Sequence, residues 1–174
     1  MLRPHCTALS SVGKEVMRAH MVRGVAGGQF AGQGGNAIMT SSNVARAREY
    51  LAAVSAGESF DKLFAFYAPD VLIQEFPNRI APQGHVRRAA EIGEAYERGR
   101  KIMRSQTYRV QRELESGDEV AIELEWTGVL GVPVMGLAAG SEMKAFVAMF
   151  LTFRDGKIVS QRNYDCYPPF RAEG

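Results

Sequence analysis

The first half of the chain has the hydrophobic spacing of helices, interrupted by one short strand. The clearest helix has apolar residues three and four positions apart, at Val44, Ala47, Leu51 and Val54. Ser42 or Asn43 can cap its start, and Gly57 ends it. The elements predicted for this half are helices over residues 44–56, 60–67 and 86–101, a strand over 71–76, and a proline-containing loop over 77–85.

The second half has the alternation of strands. Apolar and polar or small residues alternate through residues 119–130, so one face of this strand is buried and the other meets water or a partner. Turn residues at 116–118 and 155–156 predict hairpins. Helices followed by an antiparallel meander predict an α+β domain with its helices on one face of the sheet. The strands predicted are residues 106–115, 119–130, 143–154 and 157–167.

Residues 1–40 differ in composition from the rest of the chain. They hold six glycines between Gly24 and Gly35 and few residues that could pack, so we predict a disordered extension. Four Arg or Lys residues against one acidic residue leave a mitochondrial transit peptide as the alternative. The predicted organisation is an extension over 1–40, a domain over 41–168 and a tail over 169–174.

Composition and charge narrow the classes of function. The 174 residues are 46% hydrophobic and 23% charged, which fits one soluble domain. The formal net charge is +2 with its positive excess in residues 1–40, so the domain has no electrostatic drive to bind nucleic acid. No apolar run is long enough to span a membrane. Cys6 and Cys166 form no disulfide framework, which favours a reducing compartment and a cytoplasmic location.

Three stretches carry a resemblance to a known family. Residues 50–58 (YLAAVSAGE) resemble the first helix of ketosteroid isomerases, and residues 67–75 (YAPDVLIQE) resemble their first strand. The closing stretch from Asp155 to Asp165 is similar to the SnoaL-like polyketide cyclases and to limonene-epoxide hydrolase. The resemblance to this nuclear transport factor 2-like superfamily implies a cone-shaped, strongly curved, mostly antiparallel sheet wrapped by three N-terminal helices around a pocket. It also implies a homodimer and a small-molecule ligand.

Glu75 is the first candidate for chemistry. It matches the position of the general-base aspartate of ketosteroid isomerases and shares a strand face with the apolar Val71 and Ile73. A carboxylate that faces an apolar cavity is desolvated, so its pKa is expected to rise towards a range useful for proton transfer. The alternative is a structural glutamate paired with Arg79 or exposed to solvent.

Tyr50 matches the oxyanion-stabilising tyrosine of the same isomerases. A phenol can donate a hydrogen bond to a carbonyl oxygen on which charge develops. Met149 falls where those enzymes carry a second donor, which argues against steroid isomerisation. The alternative for Tyr50 is a core tyrosine with its hydroxyl at the rim.

Asp165 lies at the end of the last predicted strand, where the cyclases and the epoxide hydrolase carry an acid/base aspartate. Alternation places it on one face with Gln161, Asn163 and Tyr167, and places Ile158 on the other. We expect the polar face to be a pocket wall; the solvent side is the alternative. Leu124 and Trp126 stand where epoxide hydrolysis needs charged residues, so that reaction is not expected.

The remaining candidates are predicted to bind substrate. They are Asn163, Tyr167, Trp126, Met149 and Phe146, with His85 in the predicted loop beside the cavity. Glu123 and Glu125 are predicted on the outer face of the sheet. The three histidines lack the spacing of metal ligands, so neither a metal nor a cofactor is expected.

Two functions remain open from the sequence. In the first, Glu75 or Asp165 moves a proton on an apolar organic substrate while a tyrosine donates to an oxygen. In the second, the domain binds a ligand or assembles without catalysis, and its outer sheet face forms the homodimer. Two carboxylates and a tyrosine converging on one cavity would favour the first.

Overall fold

The computed structural model describes residues 42–170. The extension predicted over residues 1–40 lies outside the described residues. The helices are α1 (Asn43–Ser55), α2 (Phe60–Phe64) and α3 (Ala89–Ile102). The strands are β1 (Tyr67–Glu75), β2 (His85–Arg88), β3 (Met103–Ser116), β4 (Glu119–Leu130), β5 (Glu142–Arg154) and β6 (Lys157–Cys166).

The six strands form one curved, unclosed sheet in the order β2-β1-β6-β5-β4-β3. Every neighbouring pair is antiparallel except β1 and β6, which run parallel. The three helices pack on one face of this sheet and close a shared hydrophobic core against it. The predicted α+β architecture, a strongly curved and mostly antiparallel sheet with three helices, is confirmed.

Helix α1 forms where the apolar spacing predicts it. The Ser42 hydroxyl accepts a hydrogen bond from the Ala45 amide at 3.2 Å and so satisfies one of the free amides at the helix start. The residues it buries against the sheet are Ala47, Tyr50, Leu51 and Val54. The chain then turns through Gly57, whose φ of 66° favours glycine.

Strand β1 begins four residues earlier than predicted, at Tyr67. The pairing with β6 shifts register between Tyr67 and Leu72, and this irregularity contains Pro69 and Asp70. A proline is tolerated there because the ladder hydrogen bond that it cannot donate is not required. The helix predicted over residues 60–67 is correspondingly shorter.

Strand β2 replaces the predicted loop at His85 and the predicted helix start at Val86. This four-residue edge strand pairs only with β1 and has exposed or half-buried side chains, so no hydrophobic pattern marks it in the sequence. Gly84 makes its tight turn, since a Cβ at this position would lie 2.4 Å from the Glu75 carbonyl oxygen.

A bulge in β6 sets which side chains face the core. Thr152 pairs with Ser160 and Phe153 pairs with Ile158, so Val159 is an extra residue. Ile158 therefore lies on the core side with an exposed fraction of 0%, and its predicted orientation is wrong. Gln161 is buried on the same side, whereas Arg162 is exposed.

Candidate functional site

A cavity of about 590 Å³ lies between α1, α3 and the start of β3, with the inner face of the sheet as its floor. The helices supply apolar wall residues that include Val54, Phe60, Leu63 and Ile92. The floor is polar and contains Tyr67, Tyr108, Gln106 and Asn163, and Tyr50 of α1 lies against it. An apolar wall with a few convergent polar groups is typical of a small-molecule site.

A directed chain of hydrogen bonds runs from the core to this floor. The Tyr67 hydroxyl donates to the Tyr50 hydroxyl at 2.7 Å, and Tyr50 donates to Oε1 of Gln161 at 3.2 Å. Nε2 of Gln161 then donates to Oδ1 of Asn163 at 3.2 Å. The chain fixes the Asn163 amide, whose Nδ2 has no protein acceptor within residues 42–170 and remains available to a ligand.

Burial keeps both tyrosines of this chain neutral. Desolvation raises the pKa of Tyr50, and it raises the pKa of Tyr67 well above its usual range, with the neighbouring Tyr50 adding to the effect. The Tyr50 proton is already held by Gln161. Tyr50 therefore orients Asn163 through Gln161, and a ligand would have to displace that bond to use its hydroxyl.

Asp165 faces inward on β6, one inward position beyond Asn163 and about 6–7 Å further along the strand. Burial, and secondarily the charge of Glu75, raise the pKa of Asp165 to about 6. The charge of Asp165 in turn contributes, after burial, to raising the pKa of Tyr108 and of Tyr167. Asp165 is thus electrostatically coupled to Glu75 across the sheet and to a phenol of the cavity floor.

Glu75 ends β1 on the same inner face as Val71 and Ile73, and its backbone partner on β6 is Asn163. Its carboxylate accepts from Nδ2 of Asn78 at 2.8 Å and lies 3.4 Å from the Arg87 guanidinium on β2. The structural partner of Glu75 is therefore Arg87 and not Arg79, which lies over the Phe170 ring. The carboxylate therefore has polar partners on two sides although its neighbours on the strand face are apolar.

An aromatic group borders the floor on β3 and β4. Tyr108 and Trp126 are cross-strand partners, and both donate to Oε1 of Gln106 at 3.2 Å. Tyr167 lies edge-on to Trp126 with a centroid distance of 6.2 Å. Trp126 and Tyr167 are half-buried and flank the site, while Gln106 and Tyr108 line the cavity directly.

The structure divides the predicted site residues into three groups. Tyr50 and Asn163 line the cavity. Beside it lie Glu75, Asp165, Trp126 and Tyr167. Met149, Phe146 and His85 are not part of it.

The physical reasons for the three exclusions differ. Met149 is 3% exposed and packs in the hydrophobic core. Phe146 has the opposite strand parity and lies on the outer face with an exposed fraction of 57%, so its predicted role is wrong. His85 is exposed on the edge strand β2, so its predicted loop position is wrong as well.

The sequence reasoning missed four polar residues of the site: Tyr67, Gln106, Tyr108 and Arg87. Gln161, which the alternation of the last strand placed on the pocket-wall face, is buried there and accepts from Tyr50. The sequence did not indicate a role for Arg87, because no hydrophobic pattern marks β2 as a strand.

The sequence belongs to the SnoaL-like domain family, whose profile matches residues 47–161, more than half of the chain. The fold is that of the nuclear transport factor 2-like superfamily. No curated protein sequence matches closely enough to count as a relative.

Solved structures of this fold resemble the chain at low sequence identity. IdmH, a proposed polyketide cyclase from Streptomyces antibioticus, is 21% identical with a TM-score of 0.61, over 72% of this chain and 92% of that one. A proposed polyketide cyclase from Xanthomonas campestris pv. campestris is 24% identical with a TM-score of 0.59, over 70% and 88%. AclR, a proposed hydroxylase from Streptomyces galilaeus, is 19% identical with a TM-score of 0.59, over 71% and 74%. These likenesses establish the fold.

The hydrogen-bond chain predicts unequal effects of two substitutions. Gln161→Leu removes the oxygen that lies 3.2 Å from the Tyr50 hydroxyl and 3.4 Å from the Tyr67 hydroxyl, and should lower the free energy of unfolding by about 2–3 kcal/mol. Tyr67→Phe removes only the first donor and leaves Tyr50 bonded to Gln161, so it should cost about 1 kcal/mol. Urea denaturation measures both values. Equal losses would contradict the direction of the chain.

Asp165 is expected to destabilise the fold when it is charged. Its folded pKa of about 6 exceeds the ordinary 3.8, so the penalty is complete above pH 6 and disappears as the pH falls towards 4. Asp165→Asn should therefore raise the free energy of unfolding by about 1–2 kcal/mol at pH 7.5, and by a few tenths at pH 4.

The control for this measurement is Asp155→Asn. Asp155 is exposed in the hairpin turn after β5 at a φ of 53°, which asparagine also accepts. The free energy of unfolding of the Asp155→Asn variant should change little. A pH-independent effect of Asp165→Asn would show that the carboxyl group is not desolvated.

Proposed function

We propose that the chain is a small-molecule enzyme in which Asp165 acts as the general base and acid. The observation that carries the proposal is geometric: two carboxylates, Glu75 and Asp165, face inward from neighbouring parallel strands beside one cavity. A pKa of about 6 suits Asp165 to proton transfer near neutral pH. No metal or cofactor takes part in this scheme.

The reaction class is proton removal from a carbon next to a carbonyl group. Asp165 takes the proton, the C–H electron pair moves into the new carbon–carbon double bond, and the carbonyl π electrons move to the oxygen. Asn163 Nδ2 and the Tyr167 hydroxyl are the proposed donors to that oxygen. Protonated Asp165 then returns the proton to another carbon, which gives an isomerised product. Alternatively, the enolate carbon attacks a second carbonyl group of the substrate, the π electrons of that carbonyl move to its oxygen, and Asp165 returns the proton to this oxygen, which gives a cyclised product.

Glu75 has a supporting role in this scheme. Its ion pair with Arg87 and its hydrogen bond with Asn78 hold the carboxylate in place beside Asp165. Its negative charge raises the pKa of Asp165 and so keeps part of that group protonated near neutral pH. The pairing of Glu75 would equally suit a domain that binds a ligand without catalysis, which is the alternative function.

The proposal is tested with 5-nitrobenzisoxazole, a neutral carbon acid whose deprotonation breaks its N–O bond and releases a coloured phenolate. The rate should rise with pH and level off above a midpoint near 6, because only the carboxylate form of Asp165 accepts the proton. Asp165→Asn should lower the rate about a hundredfold. Glu75→Gln should move the midpoint to lower pH, because it removes the charge that raises the pKa of Asp165.

Asp155→Asn is again the matched control and should leave both the rate and the midpoint unchanged. An Asp165→Asn variant as active as the original chain would exclude Asp165 as the base. If no rate above that of acetate at equal carboxylate concentration is found, the non-catalytic function is favoured.

We infer that the protein forms a homodimer through the outer face of the sheet. Exposed apolar side chains gather there, and among them Tyr164 stacks on Phe76 at 4.2 Å and meets Phe150 edge-on at 5.9 Å. Charges of both signs border this patch, including Glu125 paired with Arg109 at 2.7 Å. A two-fold axis can place such a surface on a copy of itself with each charge facing its opposite.

We also infer a cytoplasmic location. Cys166 is a free, exposed thiol on the outer face of β6, and such thiols persist in reducing compartments. No helix within residues 42–170 is long and apolar enough to cross a membrane.

Phe150→Asp should convert the dimer into a monomer, because it buries a charge at the centre of the proposed interface. Light scattering after size-exclusion chromatography measures the mass at micromolar concentration. Val132→Asp is the control, since Val132 has the same exposed fraction of 42% but lies in the loop after β4. A Phe150→Asp variant that remains dimeric would place the interface elsewhere.

A further inference from the structure

The wall of the cavity carries an unbalanced charge. Three arginines line it, Arg87, Arg100 and Arg104. Among the residues that the structure describes, no aspartate or glutamate lines the cavity, although the carboxylates of Glu75 and Asp165 lie beside it. A cleft lined by one sign of charge with low-dielectric walls concentrates ligands of the opposite sign.

The three arginines differ in how far their charge is already matched. Arg87 is half-buried and paired with Glu75, so its charge is largely neutralised. Arg100 lies 3.5 Å from Glu97, but both side chains are about half exposed, and such a pair contributes little. Arg104 has no ion pair within residues 42–170. Arg100 and Arg104 therefore retain charge that a ligand can use.

Their positions place this charge at the mouth of the cavity. Arg100 lies in the last turn of α3 and Arg104 near the start of β3, on either side of the helix-to-strand junction at Met103. Both side chains are exposed, whereas the phenols of Tyr50, Tyr67 and Tyr108 are buried or half-buried inside the cavity. A ligand that spans the cavity meets cations at one end and the polar floor at the other.

We propose that the cavity takes an organic anion, a ring-bearing carboxylate whose acid group is bound by Arg100 and Arg104 at the mouth. Its apolar body contacts Phe60 and Ile92, and its far end reaches Asn163 on the floor. Guanidinium groups bind a carboxylate through paired, charge-assisted hydrogen bonds. Because this group is remote from the reacting carbon, its binding energy serves to orient the substrate.

This inference rests on the proposed function only in taking the cavity as the substrate site. It replaces the apolar organic substrate expected from the sequence with an amphiphilic one. Arg100 and Arg104 lie at the mouth of the cavity, and the floor separates them from Asp165. They can therefore bind an anion without forming an ion pair with the carboxylate that is proposed as the general base.

The test compares two probes of nearly equal shape, 2-naphthoate and the neutral 2-naphthamide, by isothermal titration calorimetry on the full chain. The original protein should bind 2-naphthoate at least about tenfold more tightly, and added salt should reduce the difference. The double variant Arg100→Gln/Arg104→Gln should weaken 2-naphthoate about tenfold and change 2-naphthamide less than about twofold.

The matched control is Arg98→Gln/Arg154→Gln, which also removes two positive charges, but from exposed ion pairs outside the cavity. It should leave the preference for 2-naphthoate intact. Thermal unfolding of each variant verifies the fold, which exposed arginines leave largely unchanged. Equal binding of the two probes, binding of neither, or the same loss in the control variant would each overturn the inference.

The two proposals fail in different ways. Proton transfer from 5-nitrobenzisoxazole without preference for 2-naphthoate would overturn the anionic substrate and leave the catalytic role of Asp165 standing. Preference for 2-naphthoate without proton transfer would overturn catalysis and leave an anion-binding domain.

Discussion

The parallel pairing of β1 with β6 is the constraint on which the site depends. It joins strands from opposite ends of the domain and aligns Glu75 with Asn163, so that Asp165 follows one inward position later. A shorter segment of the domain that lacks either strand would lack this pairing. Because such a contact closes a long loop, its entropic cost must be offset by the other contacts of the sheet, and the site is a property of the complete domain.

The inner face of the sheet has an apolar part that packs in the core and a polar part that borders the cavity. Along β4 and β5 most inward residues are apolar and buried, and they supply nearly half of the buried residues of the core. Along β6 the inward residues after Ile158 are polar: Gln161, Asn163 and Asp165. Burial of that polar row is tolerated because the two tyrosines, Gln161 and Asn163 satisfy one another, whereas an unpaired row would cost several kcal/mol.

Much of the fold was predictable because it follows local hydrophobic period. Helix α1, the hairpin turns and the bounds of β4 are explicit in residue order, as is the shared face of Val71, Ile73 and Glu75. The short strand β2 was not predictable, since its residues show no hydrophobic alternation and its pairing with β1 joins it to a strand across a loop. For that reason the sequence did not indicate Arg87 as a residue of the site. The inward row of β6 followed from alternation, but the bulge before it did not.

That bulge has a consequence for how the chain tolerates change. Val159 is the one surplus residue between Ile158 and Gln161, and it lets both point to the interior although they are three positions apart. Deleting that surplus residue would leave Ile158 and Gln161 two positions apart, so a regular strand would still turn both to the interior. The bulge thus fits a segment one residue longer than regular alternation allows, and the inward direction of the amides and the acid does not depend on the side chain at Val159.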